Sequence, residues 1–394
     1  MRSKMLVAAM AAVFGASGIA AAMPAVAQTA SASSTDELQQ LQQQISALQA
    51  KVNQLEQQQQ QQAQTLASQP PAQPSSVAAW AENTKVGGKM YVDFTNIDQT
   101  SNGTKTNKSG NGFDVKRFYL SISHKFNDVW SANLTTDFNY SSTDGETNLF
   151  VKKAYVQGSF DKLATLRVGS ADMPWIPFVE GWYGYRYVEN TLTDRLHFAN
   201  SADWGAHLLG NNGLFNYQIS VINGGGYKHP SRSNSVDVGA RVAIEPIKGL
   251  AFALGGYNGD LGHDTATASP VVHTASRYDA MVAYHANGFR LGGEYFHASN
   301  WNNVTSPLTD LATGYSVWAS YDFGPAAIFA RYDEAKPSKD LDSSLKDTYY
   351  NAGVSFTVVK GVDVALAYKH ELLKDNTSVD TKTNEIGAWG QIAF

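Results

Sequence analysis

WSANLTTDFNY, residues 130–140, decides the fold class. Trp130, Ala132, Leu134, Thr136, Phe138 and Tyr140 fall on one face of an extended chain, and Asn133, Thr135, Asp137 and Asn139 on the other, because successive side chains of a strand point to opposite sides. An apolar, aromatic-rich face backed by amides and a carboxylate over about ten residues fits a strand that parts lipid from water. The pattern recurs outward from here. Phe215, Tyr217, Ile219 and Val221 make one such stripe, and Val236, Val238, Ala240, Val242 and Ile244 another. Thr348, Tyr350, Ala352, Val354 and Phe356 make a third, followed by Val362, Val364, Leu366 and Tyr368. None of these stripes carries a charge, as contact with hydrocarbon demands.

The connections supply the strand count. Short turns are expected at 127–128, 161–162, 211–213, 245–249, 286–288, 322–325 and 359–361. Long polar loops alternate with them at 97–112, 141–148, 170–202, 224–235, 258–276, 298–313, 333–346 and 371–384. Seven turns and eight loops are fifteen connections, hence sixteen strands. A soluble β-sandwich has no reason to order its loops short, long, short. The expected fold is all-β, a sixteen-stranded antiparallel transmembrane β-barrel over 85–394. The chain ends on Phe394, with Ile392, Gly390, Ala388 and Ile386 on the same face. That ending looks like the assembly signal of bacterial outer-membrane proteins.

Ahead of the barrel stand three shorter segments. Residues 1–27 read as a signal peptide: Arg2 and Lys4, an apolar stretch from Met5 to Ala22, then Ala25-Val26-Ala27 before a cut at Gln28. Residues 28–67 read as a short periplasmic coiled-coil helix. Ser34 with Glu37 makes a capping box, and Leu38, Leu41, Ile45, Leu48, Val52 and Leu55 alternate spacings of three and four as an a/d seam does. The glutamine run at 57–62 and the Pro/Ser/Gln-rich stretch to residue 84 read as linker.

Composition narrows the rest. Of 394 residues, 43% are hydrophobic and 16% charged, enough apolar material to exclude disorder of the whole chain. The absence of cysteine removes disulfide scaffolds and thiol chemistry. A net charge of -5 with no basic block excludes the usual nucleic-acid partners. An enzyme would need a nucleophile held against a base, yet the nine histidines are scattered and no metal-ligand spacing occurs. The Ser343–Lys346 spacing, the Gly224–Gly226 run and the group Asp260, His263 and Asp264 each read better as loop. No cofactor is expected.

Sixteen strands enclose more room than side chains fill, so the interior is expected to be an aqueous channel. The polar faces place Lys89, Arg117, Lys153, Arg167, Arg241, Arg277, Arg290, Arg331 and Lys369 along it, against Asp93, Asp137, Asp237, Asp279, Glu294, Asp363 and Glu385. The slight basic excess would favour anions if the charges form rings; if they pair across strands, they shape the wall without selecting. The third long loop carries Trp175, Phe178, Trp182, Tyr183, Tyr185 and Tyr187 beside Glu180, Arg186 and Arg195. It is expected to fold into the lumen as a constriction, Trp175, Glu180, Arg186 and Arg195 marking it; an aromatic cap or a subunit contact is the other reading.

FDVKRFYL (113–120), FVKKAYVQ (150–157), LRVG (166–169), MPWIPFVEGWYGYRYVEN (173–190) and SADWG (201–205) together resemble the Gram-negative outer-membrane porins, specifically the phosphate-selective porin O and P family. The resemblance covers about residues 80–394. It implies a homotrimeric sixteen-stranded channel in the bacterial outer membrane, among lipid and lipopolysaccharide, passing small hydrophilic or anionic solutes. Phosphate preference in that family depends on pore arginines and lysines. A general or sugar-permeable channel without anion preference, and a structural tether with a closed barrel, remain open alternatives.

Overall fold

The computed structural model describes residues 34–67, 80–141, 146–264, 273–375 and 380–394. The leader and most of the linker lie outside the described residues. Two compact units result, divided between Ser75 and Ser76.

The first contains α1 (Ser34–Ala67), a helix of 34 residues. It runs straight through the glutamine run at 57–62, correcting the reading of that run as linker; glutamine is a good helix former, and nothing there breaks the hydrogen-bond ladder. Ile45, Leu48, Val52 and Leu55 are all exposed along its seam.

The second unit is the barrel. It opens with β1 (Thr84–Ser101), the two-residue β2 (Thr104–Lys105), β3 (Gly110–Lys125), β4 (Trp130–Ser141), β5 (Glu146–Asp161) and β6 (Ala164–Asp172). After a long inserted loop follow β7 (Ala202–Asn211), β8 (Phe215–Ile222), β9 (Asp237–Ile247), β10 (Leu250–Gly259), β11 (Ala275–Ala286) and β12 (Phe289–Ser299). It ends with β13 (Leu311–Phe323), β14 (Ala326–Lys336), β15 (Lys346–Val359), β16 (Val362–Lys374) and β17 (Thr381–Ala393). β2 is only a clip on the first loop, where Ser101 pairs with Thr104. The other sixteen strands make one antiparallel sheet that closes on itself through β1 and β17, from Lys89 opposite Ala393 to Ser101 opposite Thr381.

Closure follows from the solvent. Hydrocarbon offers no partner to a backbone N–H or C=O, so a strand in lipid must be bonded on both edges. Among the described residues no helix is long and apolar enough to cross a membrane, while the strands carry exposed apolar side chains such as Ile219, Val221, Leu254 and Leu366 on the outer face. The turns are tight where the sequence expects them. Asn287-Gly288, with φ of 54° and 79°, supplies the two left-handed residues that a two-residue hairpin turn needs. Rings ride the outer face near these turns: Trp130 meets Phe160 at 5.7 Å and Phe289 meets Tyr321 at 4.6 Å between centroids. Such pairs form the belt that sits at a membrane–water boundary.

The last residue locks the closure. The Gly88 N–H donates to the Phe394 carbonyl at 2.9 Å and the Phe394 N–H to the Gly88 carbonyl at 3.1 Å. The Phe394 ring lies where a side chain on Gly88 would stand, 2.3 Å from an added Cβ. Gly88→Ala should therefore push the exposed ring off the seam and destabilise the barrel by at most about 1 kcal/mol, the low end of overpacking, since the ring tip can swing away. Gly112→Ala, where an added Cβ meets nothing within 4 Å, should not. Urea unfolding followed by heat-modifiable mobility on a gel separates the two.

Candidate functional site

The loop between β6 and β7, residues 173–201, folds inside the barrel and lies along the inner wall. A bond from the Met173 N–H to the Ser201 carbonyl, 3.0 Å, closes its neck. Two short helices organise it, α2 (Ile176–Tyr183) and α3 (Leu192–Arg195). Pro177 sits in the first turn of α2, where its missing N–H loses nothing. Gly184, left-handed at φ 81°, ends that helix. Ile176, Val179 and Tyr183 of α2 turn to the wall and are buried. Tyr183 packs on Trp318 at 5.9 Å, and Tyr185 stacks on Phe329 at 4.3 Å.

Inward-facing cations of the wall grip this loop. Arg241 donates to the Pro174 carbonyl at 2.8 Å and lies 3.8 Å over the Phe178 ring. Arg290 donates to the Trp182 carbonyl at 2.9 Å and the Gly181 carbonyl at 3.2 Å, a cation on the C-terminal end of α2. Arg331 donates to the Asn190 carbonyl at 2.5 Å and pairs with Asp333 at 2.5 Å. Arg277 donates to the Phe198 carbonyl and pairs with Asp279 at 2.8 Å. Lys369 pairs with Glu189 of the loop and Glu385 of β17, both at 3.2 Å. Burial alone would raise the Glu189 carboxyl, but Lys369 and Lys116 beside it hold it well below the usual carboxylate range.

The loop answers with charges of its own. Arg195 reaches out to Asp333 at 3.2 Å, Asp347 at 2.5 Å and Glu371 at 2.5 Å, its guanidinium 4.5 Å over Tyr349. Arg186 stays within the loop, bridging Glu180 at 2.5 Å and Asp194 at 3.1 Å. Glu294 of β12 accepts from the Leu192 N–H at 2.9 Å and from the Trp175 indole at 3.2 Å, tying the starts of both helices to one wall carboxylate. Buried charges persist only when paired and hydrogen-bonded, and here the pairing joins loop to wall.

The expected site residues thus divide. Arg241, Arg277, Arg290, Arg331 and Lys369 face inward, as their strand parity says, but they are spent on the loop or on neighbouring acids. Trp175, Glu180, Arg186 and Arg195 share the folded-in loop, although Trp175 is turned to the wall and buried. Lys89, Arg117, Lys153 and Arg167 lie on the opposite side, on β1 and β3–β6. Arg117 stands 3.8 Å from Asp137, and Lys153 pairs with Asp172 at 2.7 Å. Arg167 donates to the neutral Gln157 at 2.8 Å and stacks over Tyr155 at 5.0 Å.

Sequence parity missed Lys152. The β4–β5 register shifts between Thr135 and Thr136, so Lys152 is an extra residue in a bulge. Its ammonium reaches the Tyr119 hydroxyl at 3.2 Å and lies 4.6 Å from that ring and 5.5 Å from the Tyr227 ring. Lys228, in the loop after β8, lies 4.9 Å over Phe150. Neither lysine, nor Arg167, has a carboxylate partner within 4 Å among the described residues. A bulge leaves no mark on alternation, and no signal in the sequence singles these two lysines out.

Arg195 is the loop's most connected anchor. Arg195→Met would leave Asp333, Asp347 and Glu371 without that guanidinium, and breaking one side of a buried pair costs about 3–5 kcal/mol. Single-channel traces of the variant should show larger and noisier openings, and protease should cut between residues 173 and 201, while the parent loop resists.

The model of the family described as phosphate-selective porin O and P matches residues 84–176. No curated protein matches the chain. Solved structures share the fold at low identity. The anion-selective porin from Comamonas acidovorans superposes with a TM-score of 0.55 at 13% identity, covering 79% of this chain and 99% of that one. OmpF of Salmonella typhi, in complex with daunomycin, gives 0.56 at 15%, covering 79% and 97%. The trimer form of OmpT from Vibrio cholerae gives 0.52 at 13%, covering 79% and 99%. The chain thus has the porin fold, a closed sixteen-stranded barrel with a loop folded into its lumen, and over residues 84–176 it is similar to the phosphate-selective porin O and P family.

Proposed function

We propose that this barrel is an outer-membrane porin, a water-filled diffusion channel that prefers anions, and that the preference resides on the wall of β3–β6. One observation carries the reading: among the described residues Lys152, Arg167 and Lys228 face inward with no carboxylate oxygen within 4 Å, Asp137 acting on the two lysines only from further off, while the arginines of β9–β14 bind the loop. Arg117 and Lys153 extend the same strip, each beside one aspartate. The strip therefore keeps a positive excess, and a ring or strip of fixed charge sets the selectivity of a wide pore. Phosphate is the anion that the family match brings forward. A sugar channel is the second reading: Trp175, Tyr183 and Tyr187 are buried against the wall, which leaves Phe178 and Trp182 as the half-buried rings of the loop.

The assembly belongs to the same proposal. A homotrimer standing in outer-membrane lipid and lipopolysaccharide is supported by the family match and by the trimeric OmpT neighbour. α1, with its apolar seam exposed, suits a periplasmic coiled coil between copies, since such a helix is marginal alone.

The test is the reversal potential of the reconstituted protein across a KCl gradient. Anion preference supports the proposal, no preference removes it, and a barrel that inserts without conducting leaves the structural tether. Replacing Lys152 by Glu changes the charge by two. At about 10 Å from an ion in water that alters anion against cation by about 1.6 kcal/mol. Screening at 0.1 M reduces this to about 0.6 kcal/mol, roughly a threefold fall in the anion-to-cation permeability ratio. Arg167→Glu should act alike, and the double variant should be non-selective or cation-preferring.

A further inference from the structure

The outer face changes character near its loop end on the last strands. In an outer-membrane barrel the short turns meet the periplasm and the long loops the exterior. Toward the loops, β13–β16 carry a band of outward rings. Tyr315 and Tyr332 lie 6.2 Å apart, Tyr350 and Tyr368 6.2 Å, and His370 stacks on Tyr350 at 4.9 Å. Such a band marks the level where hydrocarbon gives way to headgroups.

Four lysines stand beyond the band. Lys346 of β15 is directly opposite Lys374 of β16. The β14–β15 ladder ends with Ala335 opposite Asp347, which puts Lys336 level with Lys346 one step on. Lys382 of β17 lies opposite Leu372, two residues below Lys374 on the same face. Ala335 and Asp347 are buried on the inner side, so parity turns their lysine neighbours outward. Lys336, Lys346 and Lys374 each stand four residues beyond a ring of the band, Tyr332, Tyr350 and His370. That is about 13 Å along a strand, at the depth of lipid headgroups.

A row of like charges on adjacent strands is unfavourable. Neighbouring strands lie about 4.8 Å apart, and like charges directly opposite one another destabilise a sheet. The chain does little to offset this row. Among the described residues Glu334 is the one carboxylate within 4 Å of any of the four lysines, 3.0 Å from Lys346, and it also accepts from the Tyr332 hydroxyl at 2.9 Å. Asp342 and Asp375 in the adjoining loops accept from the Ser344 hydroxyl, at 2.7 and 3.0 Å. The row is also local. At the loop ends of β8–β11 the outward positions are Val221, Val238, Asn258 and Ser276, none of them charged.

An anion with several negative groups relieves such a row, and charge-assisted bonds to phosphate are strong. The wall below says what kind of anion fits. Ile328, Leu366 and Tyr368 are exposed beneath the lysines, an apolar surface that a free inorganic ion leaves unused and an acyl chain covers. We propose that Lys336, Lys346, Lys374 and Lys382 bind the phosphates of lipopolysaccharide, one molecule seated across β14–β17 with its chains along the wall. The inference rests on the outer-membrane reading given above and names the residues that would make its lipid contact specific.

The experiment titrates the purified protein in mild detergent with diphosphorylated lipid A and counts bound lipid by native mass spectrometry. K346Q/K374Q should bind about thirtyfold more weakly than the parent, at about 1 kcal/mol for each lysine removed near a charged surface. K162Q/K248Q removes as many exposed lysines at the turn end and should bind as the parent does. Lipid A stripped of phosphate should bind the parent no better than intact lipid A binds K346Q/K374Q. Equal binding by all three proteins, binding that survives removal of the phosphates, or displacement by equimolar inorganic phosphate would overturn the proposal. Without lipid, K346Q/K374Q should unfold in urea no earlier than the parent, since a repulsion is gone; an earlier midpoint would mean that the lysines pair within the protein, and would count against the site. Conductance of the parent in bilayers free of lipid A tests the porin reading separately. Channels with no lipid binding sink this site alone, and a protein that neither conducts nor binds the lipid sinks both.

Discussion

Every backbone donor and acceptor that meets hydrocarbon must find its partner within the protein, and this constraint organises the molecule. It forces strands instead of loops across the bilayer and closes β1 onto β17. It also explains why the last residue matters, since the Phe394 main chain completes the ladder at Gly88. Alternation follows: once the sheet is closed, one face of each strand touches lipid and the other touches water.

A barrel of this girth solves the outside and leaves the inside underfilled. The chain fills it with residues 173–201, and a loop brought into a lumen needs anchors that tolerate burial. Apolar packing supplies some, through Val179, Tyr183 and Tyr185. Charge supplies the orientation: Arg241, Arg290 and Arg331 aim at loop carbonyls, and Arg195 aims back at three wall carboxylates. Guanidinium suits both tasks, since its planar fork satisfies several acceptors at once. An arginine used in this way contributes little free charge to the pore. A count of inward cations is therefore a poor measure of selectivity, and what matters is which of them the loop leaves alone.

The sequence carried the fold almost entirely. Period-two alternation and the short–long order of the connections sufficed for sixteen strands, since both are local properties and lipid tolerates no exception on the outer face. The inward parity of Arg241, Arg277 and Arg331 was legible for the same reason. The partners of those residues were not: Arg277 meets Phe198 and Arg331 meets Asn190 across separations of 79 and 141 residues, and no local pattern encodes such contacts. Bulges were equally silent. A single inserted residue shifts parity without changing composition, so Lys152 looked like a lipid-side position beside Lys153. The glutamine run inside α1 was misread as linker because glutamine is common in linkers and helices alike.

Two bulges tie wall and pore together. The β1–β3 register shifts between Tyr91 and Val92 and the β4–β5 register between Thr135 and Thr136, which makes Lys116 and Lys152 extra residues and brings into the interior two cations that strict alternation would have sent outward. One lysine reaches the Val188 carbonyl of the loop at 3.1 Å; the other joins the basic strip. Straightening either bulge would remove a charge from the lumen side, one from the grip on the loop and one from the strip. The anchoring of the loop and the positive wall in this sense both draw on local departures from regular β-structure.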